Sequence, residues 1–233
     1  MKKTSLDIIK MAFVTSLPVL AAYIFLGMGF GVLMSERDYP VYLSFFSSIF
    51  VFAGTGQYLL VDLLVSKASL LHTAFMTLMV NARHTFYGIS MINRYKDMGK
   101  YKPYMIFGLT DETYSLLCDE NTYPEKKYAG LYCFFVTAFD HLYWITGCTL
   151  GAVLGSLLDF NSKGIDFSMT AIFVSVFVDQ WLKEKNHYAA IVGLLVTLIC
   201  LIIFGSGKFL IPAMILITAL LTIPYAQEAK KNG

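Results

Sequence analysis

From Met11 to Met34 the chain carries no charged side chain. A helix rises about 1.5 Å per residue and needs about 20 apolar residues to cross the roughly 30 Å hydrocarbon core of a bilayer, so this run is long enough to span. Further apolar runs follow at about 41–64, 69–92, 103–118, 128–158, 167–182, 188–204 and 209–225. Within hydrocarbon every backbone N–H and C=O must be satisfied inside the protein, which makes helices the spanning element for such runs. Composition agrees: 57% of residues are hydrophobic and only 15% charged, with a mean hydropathy of +0.62, where a soluble domain carries about 25% charged residues. The expected fold is therefore all-α, a polytopic integral membrane helical bundle forming a single transmembrane domain over 1–233. The start, Met1-Lys2-Lys3 before an apolar run, resembles a signal peptide, but the run is long and lacks a small-residue cleavage site, so it is expected to be a retained first helix. A net charge of +2 without runs of like charge offers no footing for nucleic acid.

Three polar interruptions break this apolar background. Asn81-Ala82-Arg83-His84-Thr85-Phe86-Tyr87-Gly88 sits inside the third run, with Arg83 near its middle. A charge at bilayer depth costs roughly 2.5–3.5 kcal/mol on insertion scales and normally faces a bundle interior or a wet cavity. Gly54-Thr55-Gly56-Gln57 interrupts the second run and Thr110-Asp111-Glu112-Thr113 the fourth. Two glycines and a Gln at mid-depth weaken a helix, and broken membrane helices are tolerated where the loosened backbone lines a cavity; a glycine pair that only packs is the alternative. The fourth run is short for a span and is expected to re-enter rather than cross. The three interruptions together are expected to form one site.

Topology from charge alone stays open. The linker 93–102 carries Arg94, Lys96, Lys100 and Lys102 against Asp97, and by the positive-inside rule belongs in the cytoplasm with Lys2, Lys3, Lys10, Lys230 and Lys231. Both termini are thus expected to be cytoplasmic, but three full crossings before the linker would put it outside. Either part of 41–92 is re-entrant, giving about six crossings, or the rule fails there and up to about eight occur. An internal echo bears on this. Ser47-Ser48-Ile49-Phe50-Val51 with Gln57-Tyr58 recurs as Thr170-Ala171-Ile172-Phe173-Val174 with Gln180-Trp181, and Gly27 and Gly31 are matched by Gly147 and Gly151. A duplication with halves 1–118 and 128–233 is a common transporter plan, with substrate held where the halves meet. The glycines of the first run also suit close helix packing.

The succession G-T-G-Q at 54–57, N-A-R-H-T-F-Y-G at 81–88 and T-D-E-T at 110–113 resembles the AzlC family, the large subunits of two-component branched-chain amino acid exporters. The likeness covers nearly the whole chain. It implies a multi-pass protein of the cell membrane that exports leucine, isoleucine and valine, with methionine an open further case. It also implies a partner, a small AzlD-like membrane subunit of about a hundred residues. No cofactor or metal is implied, and the four cysteines, without a C-x-x-C pair, are expected to be reduced, buried thiols.

Family membership does not say which residues touch substrate; chemistry suggests them. Arg83 offers a planar fork of donors to a carboxylate, and backbone N–H groups around Gly54 and Gly56 can do the same at a broken-helix end. Asp111 or Glu112 can take the ammonium, with Gln57 and Asn81 nearby satisfying loosened backbone or touching ligand. A salt bridge from Arg83 to Asp111 or Glu112 that only locks two segments is the competing reading. With no phosphate-binding loop in the sequence, ion coupling is expected, through protons at Asp140, His141 or His84. Neither Gly-x-Ser-x-Gly nor His-Glu-x-x-His occurs, so an intramembrane hydrolase is not expected; a non-transporting pore or scaffold subunit is the other rival.

Overall fold

A reciprocal cap starts the first long helix: Thr4 Oγ1 accepts from the Asp7 N–H, and the Asp7 carboxylate accepts from the Thr4 N–H. This capping box satisfies two of the orphan donors of a helix N-terminus and opens α1 (Ser5–Glu36), 32 residues long. The computed structural model describes residues 4–118, 123–157, 187–206 and 208–231, with Val174, Phe177, Val178, Trp181 and Leu182 between them. The positions 170–173 and Gln180 of the echo, and Asp179, Lys183 and Lys185, lie outside the described residues. Two compact units emerge: Met1–Thr77 with His84–Met169, and Leu78–Arg83 with Thr170–Gly233.

The first unit is built on α1 and α8 (Lys126–Leu157), also 32 residues. They pack side by side in parallel, because their levels rise together: Gly147 lies on Ile24, Gly151 on Met28 and Gly155 on Val32. Absent side chains allow this. A Cβ on Gly27 would come within 2.8 Å of the Cys148 nitrogen and one on Gly147 within 2.8 Å of the Tyr23 carbonyl oxygen, while one on Gly31 or Gly151 would collide with the facing backbone outright. The two glycine pairs of the sequence echo are thus the two faces of one close helix contact, the small-residue packing that membrane helices favour.

Between α1 and α8 the chain makes two hairpins of half-length helices. The first is α2 (Val41–Phe50) and α3 (Gly54–Val65). Its path follows from what each level touches. Ser44 donates to the carbonyl of Cys148 near the far end of α8, and the Ser48 carbonyl reaches His141 at its middle. After the break the direction reverses: Gly54 lies beside Trp144, Gln57 Nε2 donates back to Ser47 Oγ, and Tyr58 OH donates to the Leu26 carbonyl while its ring packs on Phe30. The helix breaks where Phe52 takes φ +37°, a left-handed conformation that a side chain makes costly. Arms of 10 and 12 residues reach about half a bilayer each. The second run therefore enters and leaves at one end.

Next, α4 (Leu70–Asn81) and α5 (Arg83–Tyr95) carry the chain to the opposite end, with the interruption at Ala82. The expected single third helix is two, and the second of them extends past Arg94 into the expected linker. Met91 and Tyr95 are buried with Ile8, Ala12, Met105, Leu117, Tyr132 and Val136, so the chain is back at the level where α1 and α8 begin. From there a short 3-10 turn, Gly99–Tyr101, leads into the second hairpin, α6 (Lys102–Phe107) and α7 (Asp111–Leu117). Its base is closed by Arg94 Nη1 donating to the carbonyls of Leu117, at 3.0 Å, and Cys118, and by Tyr123 OH donating to Leu117 at 2.7 Å. Its tip reaches the middle of α8, where Gly108 sits on Thr137 and Phe52. The fourth run is thus a hairpin of two short helices rather than one continuous helix.

In the second unit α9 (Tyr188–Phe204) and α10 (Leu210–Lys231) pack on each other across a connector in which Gly205 adopts φ +73°. Polarity is distributed as in a membrane bundle. Leu70, Leu71 and Ile202 are 83–89% exposed, whereas Ser16, Ser48, Gln57, Thr113, Thr137 and Asp140 are fully buried, the inverse of a soluble protein. Among the described residues α1 is the helix long and apolar enough to cross a bilayer by composition alone.

Candidate functional site

The tips of the two hairpins meet halfway along α1 and α8. Phe52 of the first tip lies 6.3 Å from the ring of Phe107 in the second, 6.3 Å edge-on from Tyr23 of α1, and stacks at 4.3 Å on His141 of α8. Both returning half-helices, α3 and α7, start at this level, so two helix N-termini with their partial positive charge are directed to the middle of the bundle. They differ in capping. Thr110 caps α7 through its hydroxyl, which accepts from the Thr113 N–H, whereas no side chain caps α3 at Ala53-Gly54. The first-turn amides at Gly54, Thr55 and Gly56 therefore have the geometry of an anion-binding end.

Around these tips lies a layer of buried polar side chains. Trp144 Nε1 donates to Gln57 Oε1 at 2.7 Å and holds α3 against α8. Tyr104 OH and His141 Nδ1 are 2.9 Å apart, and His141 Nε2 lies 3.2 Å from the Ser48 carbonyl, so both nitrogens of this imidazole are engaged by the two hairpins. On the other side of α8, Thr113 Oγ1 donates to Asp140 Oδ2 at 2.8 Å. Asp140 Oδ1 is buried and has no hydrogen-bond partner among the described residues. Tyr23 OH donates to Glu112 Oε2 at 2.8 Å and is 2.6 Å from Thr110 Oγ1.

Most residues expected from sequence converge here. Gly54, Gln57, Glu112, Asp140 and His141 all contact this layer directly or through one side chain, Gly56 lies in the first turn of α3, and Asp111 stands beside Glu112 at the start of α7. Asn81 and Arg83 flank the interruption at Ala82, half-buried, and belong with the second unit. His84 places its ring 6.0 Å from Tyr87, which stacks at 4.8 Å on Tyr114 of α7. Sequence reasoning missed Tyr23, Phe52, Tyr104 and Trp144, aromatic residues in apolar runs with no local mark of function. Thr110 and Thr113 belong to the Thr110-Asp111-Glu112-Thr113 interruption, where the two acids draw the eye and nothing local marks the hydroxyls.

A family model described as AzlC protein matches residues 18–158. This stretch includes most of α1, both hairpins and all of α8, and so the whole of the polar layer. The chain belongs to the AzlC family. Among its relatives, the branched-chain amino acid transport protein AzlC of Bacillus subtilis is 41% identical over 91% of this chain and 83% of its own length. A membrane protein of Helicobacter pylori is 36% identical over 92% of this chain and 93% of its own, and the inner membrane protein YgaZ of Escherichia coli is 25% identical over 86% and 82%. No solved structure gives a significant match. As an AzlC-family membrane protein, the chain has its polar interior where a bilayer would otherwise meet only hydrocarbon.

Proposed function

We propose that this chain is a secondary transporter that exports branched-chain amino acids in exchange for protons, acting with a small AzlD-like membrane subunit. The observation that carries the reading is the meeting of two broken hairpins at the mid-height of α1 and α8, within the stretch that matches the AzlC family. Discontinuous half-helices whose N-termini point inward are a recurring way to hold an anionic substrate group near the bilayer midplane. The name of the Bacillus subtilis relative supplies the substrate class.

In this reading the substrate carboxylate is received by the guanidinium of Arg83 or by the uncapped start of α3 at Gly54 and Gly56, and Asp111 or Glu112 receives the ammonium. Gln57, bound to Trp144 and Ser47, stiffens the wall rather than gripping ligand, and Asn81 supports the backbone beside Arg83. Asp140 carries the proton; His141, held on both nitrogens, positions the tips, and His84 stands beside the aromatic pair Tyr87 and Tyr114. The end that bears Lys10, Arg94, Lys100, Lys126 and Lys127 faces the cytoplasm by the positive-inside rule. The first hairpin then dips in from outside and the second from inside. That arrangement gives the six-crossing topology with both termini cytoplasmic.

The test is export from cells. Cells expressing the chain with its small partner should grow in an excess of leucine-containing dipeptide that stops control cells, and should release leucine faster. Arg83→Ala should abolish the protection while the protein still reaches the membrane. Unchanged leucine release on expression of both subunits would end the transport reading.

A further inference from the structure

We infer that Glu112 and Asp140 share one transferable proton along a chain of three hydroxyls, those of Tyr23, Thr110 and Thr113. This deepens the proton-coupled reading above and rests on it for its role in transport. The links are continuous: Glu112 Oε2 to Tyr23 OH is 2.8 Å, Tyr23 OH to Thr110 Oγ1 2.6 Å, Thr110 Oγ1 to Thr113 Oγ1 3.2 Å, and Thr113 Oγ1 to Asp140 Oδ2 2.8 Å. Three elements supply it, since Tyr23 comes from α1, the two threonines and Glu112 from the start of α7, and Asp140 from α8.

Counting protons shows what such a chain can do. Four links need four protons, and three hydroxyls bring three. One added proton on either carboxyl fills every link. With the proton on Glu112, each hydroxyl donates toward Asp140; with it on Asp140, each donates toward Glu112. Passing between the two states breaks one O–H bond and forms one at each hydroxyl in turn, so a proton leaves one carboxyl and a proton arrives at the other with no change of oxidation state. Burial gives the chain a direction. Tyr23, Thr110, Thr113 and Asp140 are at most 5% exposed, while Glu112 is half-buried. Thr113 is the side-chain partner of Asp140 among the described residues, so Glu112 is the mouth of the path and Asp140 its sealed end. Among the described residues, the other titratable side chains of this layer are Tyr104 of α6 and His141 of α8, which bond to each other, with Asp111 beside Glu112 at the start of α7; α2 and α3 bring serine, glutamine and aromatic side chains to it.

The test uses the full chain in lipid nanodiscs and follows, by infrared spectroscopy, hydrogen-to-deuterium exchange of the protonated carboxyl, assigned to Asp140 by its loss in Asp140→Asn. Tyr23→Phe and Thr113→Val should each slow this exchange by about tenfold or more, and Thr113→Ser, which restores the hydroxyl, should return it to the wild-type rate. Exchange at the wild-type rate in both Tyr23→Phe and Thr113→Val would overturn the shared path. A second readout separates this from the transport reading. In proteoliposomes with the small partner, Tyr23→Phe should keep leucine counterflow and lose accumulation driven by a pH gradient. If Tyr23→Phe keeps gradient-driven accumulation at the wild-type level, the path is wrong although transport stands; if the wild-type protein shows no counterflow, transport is wrong and the exchange rates still decide the path.

Discussion

At the scale of single residues, the site depends on polar atoms satisfied where no water reaches. Trp144 Nε1 has Gln57 Oε1 as its acceptor, and a buried donor left without one costs about 1–3 kcal/mol. Gln57→Leu should therefore lower stability by about that amount, read as an earlier thermal transition in detergent together with a shift in tryptophan emission. Asp140→Asn should behave differently. An amide oxygen can still accept from Thr113, but the amide N–H groups then stand where Asp140 Oδ1 has no partner among the described residues, so the fold should lose about 1–3 kcal/mol, while any pH dependence of leucine export should disappear. An Asp140→Asn protein that exports with the wild-type pH profile would remove Asp140 from the coupling scheme.

At the scale of elements, the two long helices and the two hairpins make separate claims. The contact of α1 with α8 exists because Gly27, Gly31, Gly147 and Gly151 leave room for backbone against backbone, and overpacking such a contact costs about 1–3 kcal/mol or more. Gly31→Leu should give little monodisperse protein, whereas Gly88→Ala, with nothing near its Cβ position, should be harmless by size-exclusion profile and melting temperature. The hairpins predict sidedness. In a background without Cys118, Arg37→Cys and Lys67→Cys, on either side of the first hairpin and both exposed, should react with an impermeant maleimide from the same face of the membrane, because that hairpin returns to the end it came from. Labelling of the two from opposite faces would mean that 41–65 crosses.

For the whole molecule, exchange of an exported amino acid for an entering proton fixes a sign. In everted vesicles, whose interior corresponds to the cell exterior, an acidic interior should drive leucine inward and a protonophore should stop it. One pH unit is worth about 1.4 kcal/mol, so a one-for-one exchange can sustain at most about a tenfold leucine gradient per unit. Accumulation that ignores the pH gradient would leave the exporter with another source of energy.

The amino-acid sequence by itself determined the class of fold, because hydrocarbon admits only helices for runs as apolar as 11–34 and 188–204, and the latter helix begins and ends where its run does. It also marked where helices break, since Gly54 and the Thr110-Asp111 pair start new half-helices. Other features were decided only in three dimensions. The run 41–64 is long enough to cross or to turn back, and it turns because Phe52 is lodged among Tyr23, Phe107 and His141, contacts no local pattern encodes. Tyr23 looks like any aromatic residue in a greasy helix until packing sets its hydroxyl against Thr110, 87 positions away. Periodicity and composition report which face of a segment avoids water; which polar atoms meet inside depends on how the segments are brought together, and here glycine contacts between α1 and α8 bring them.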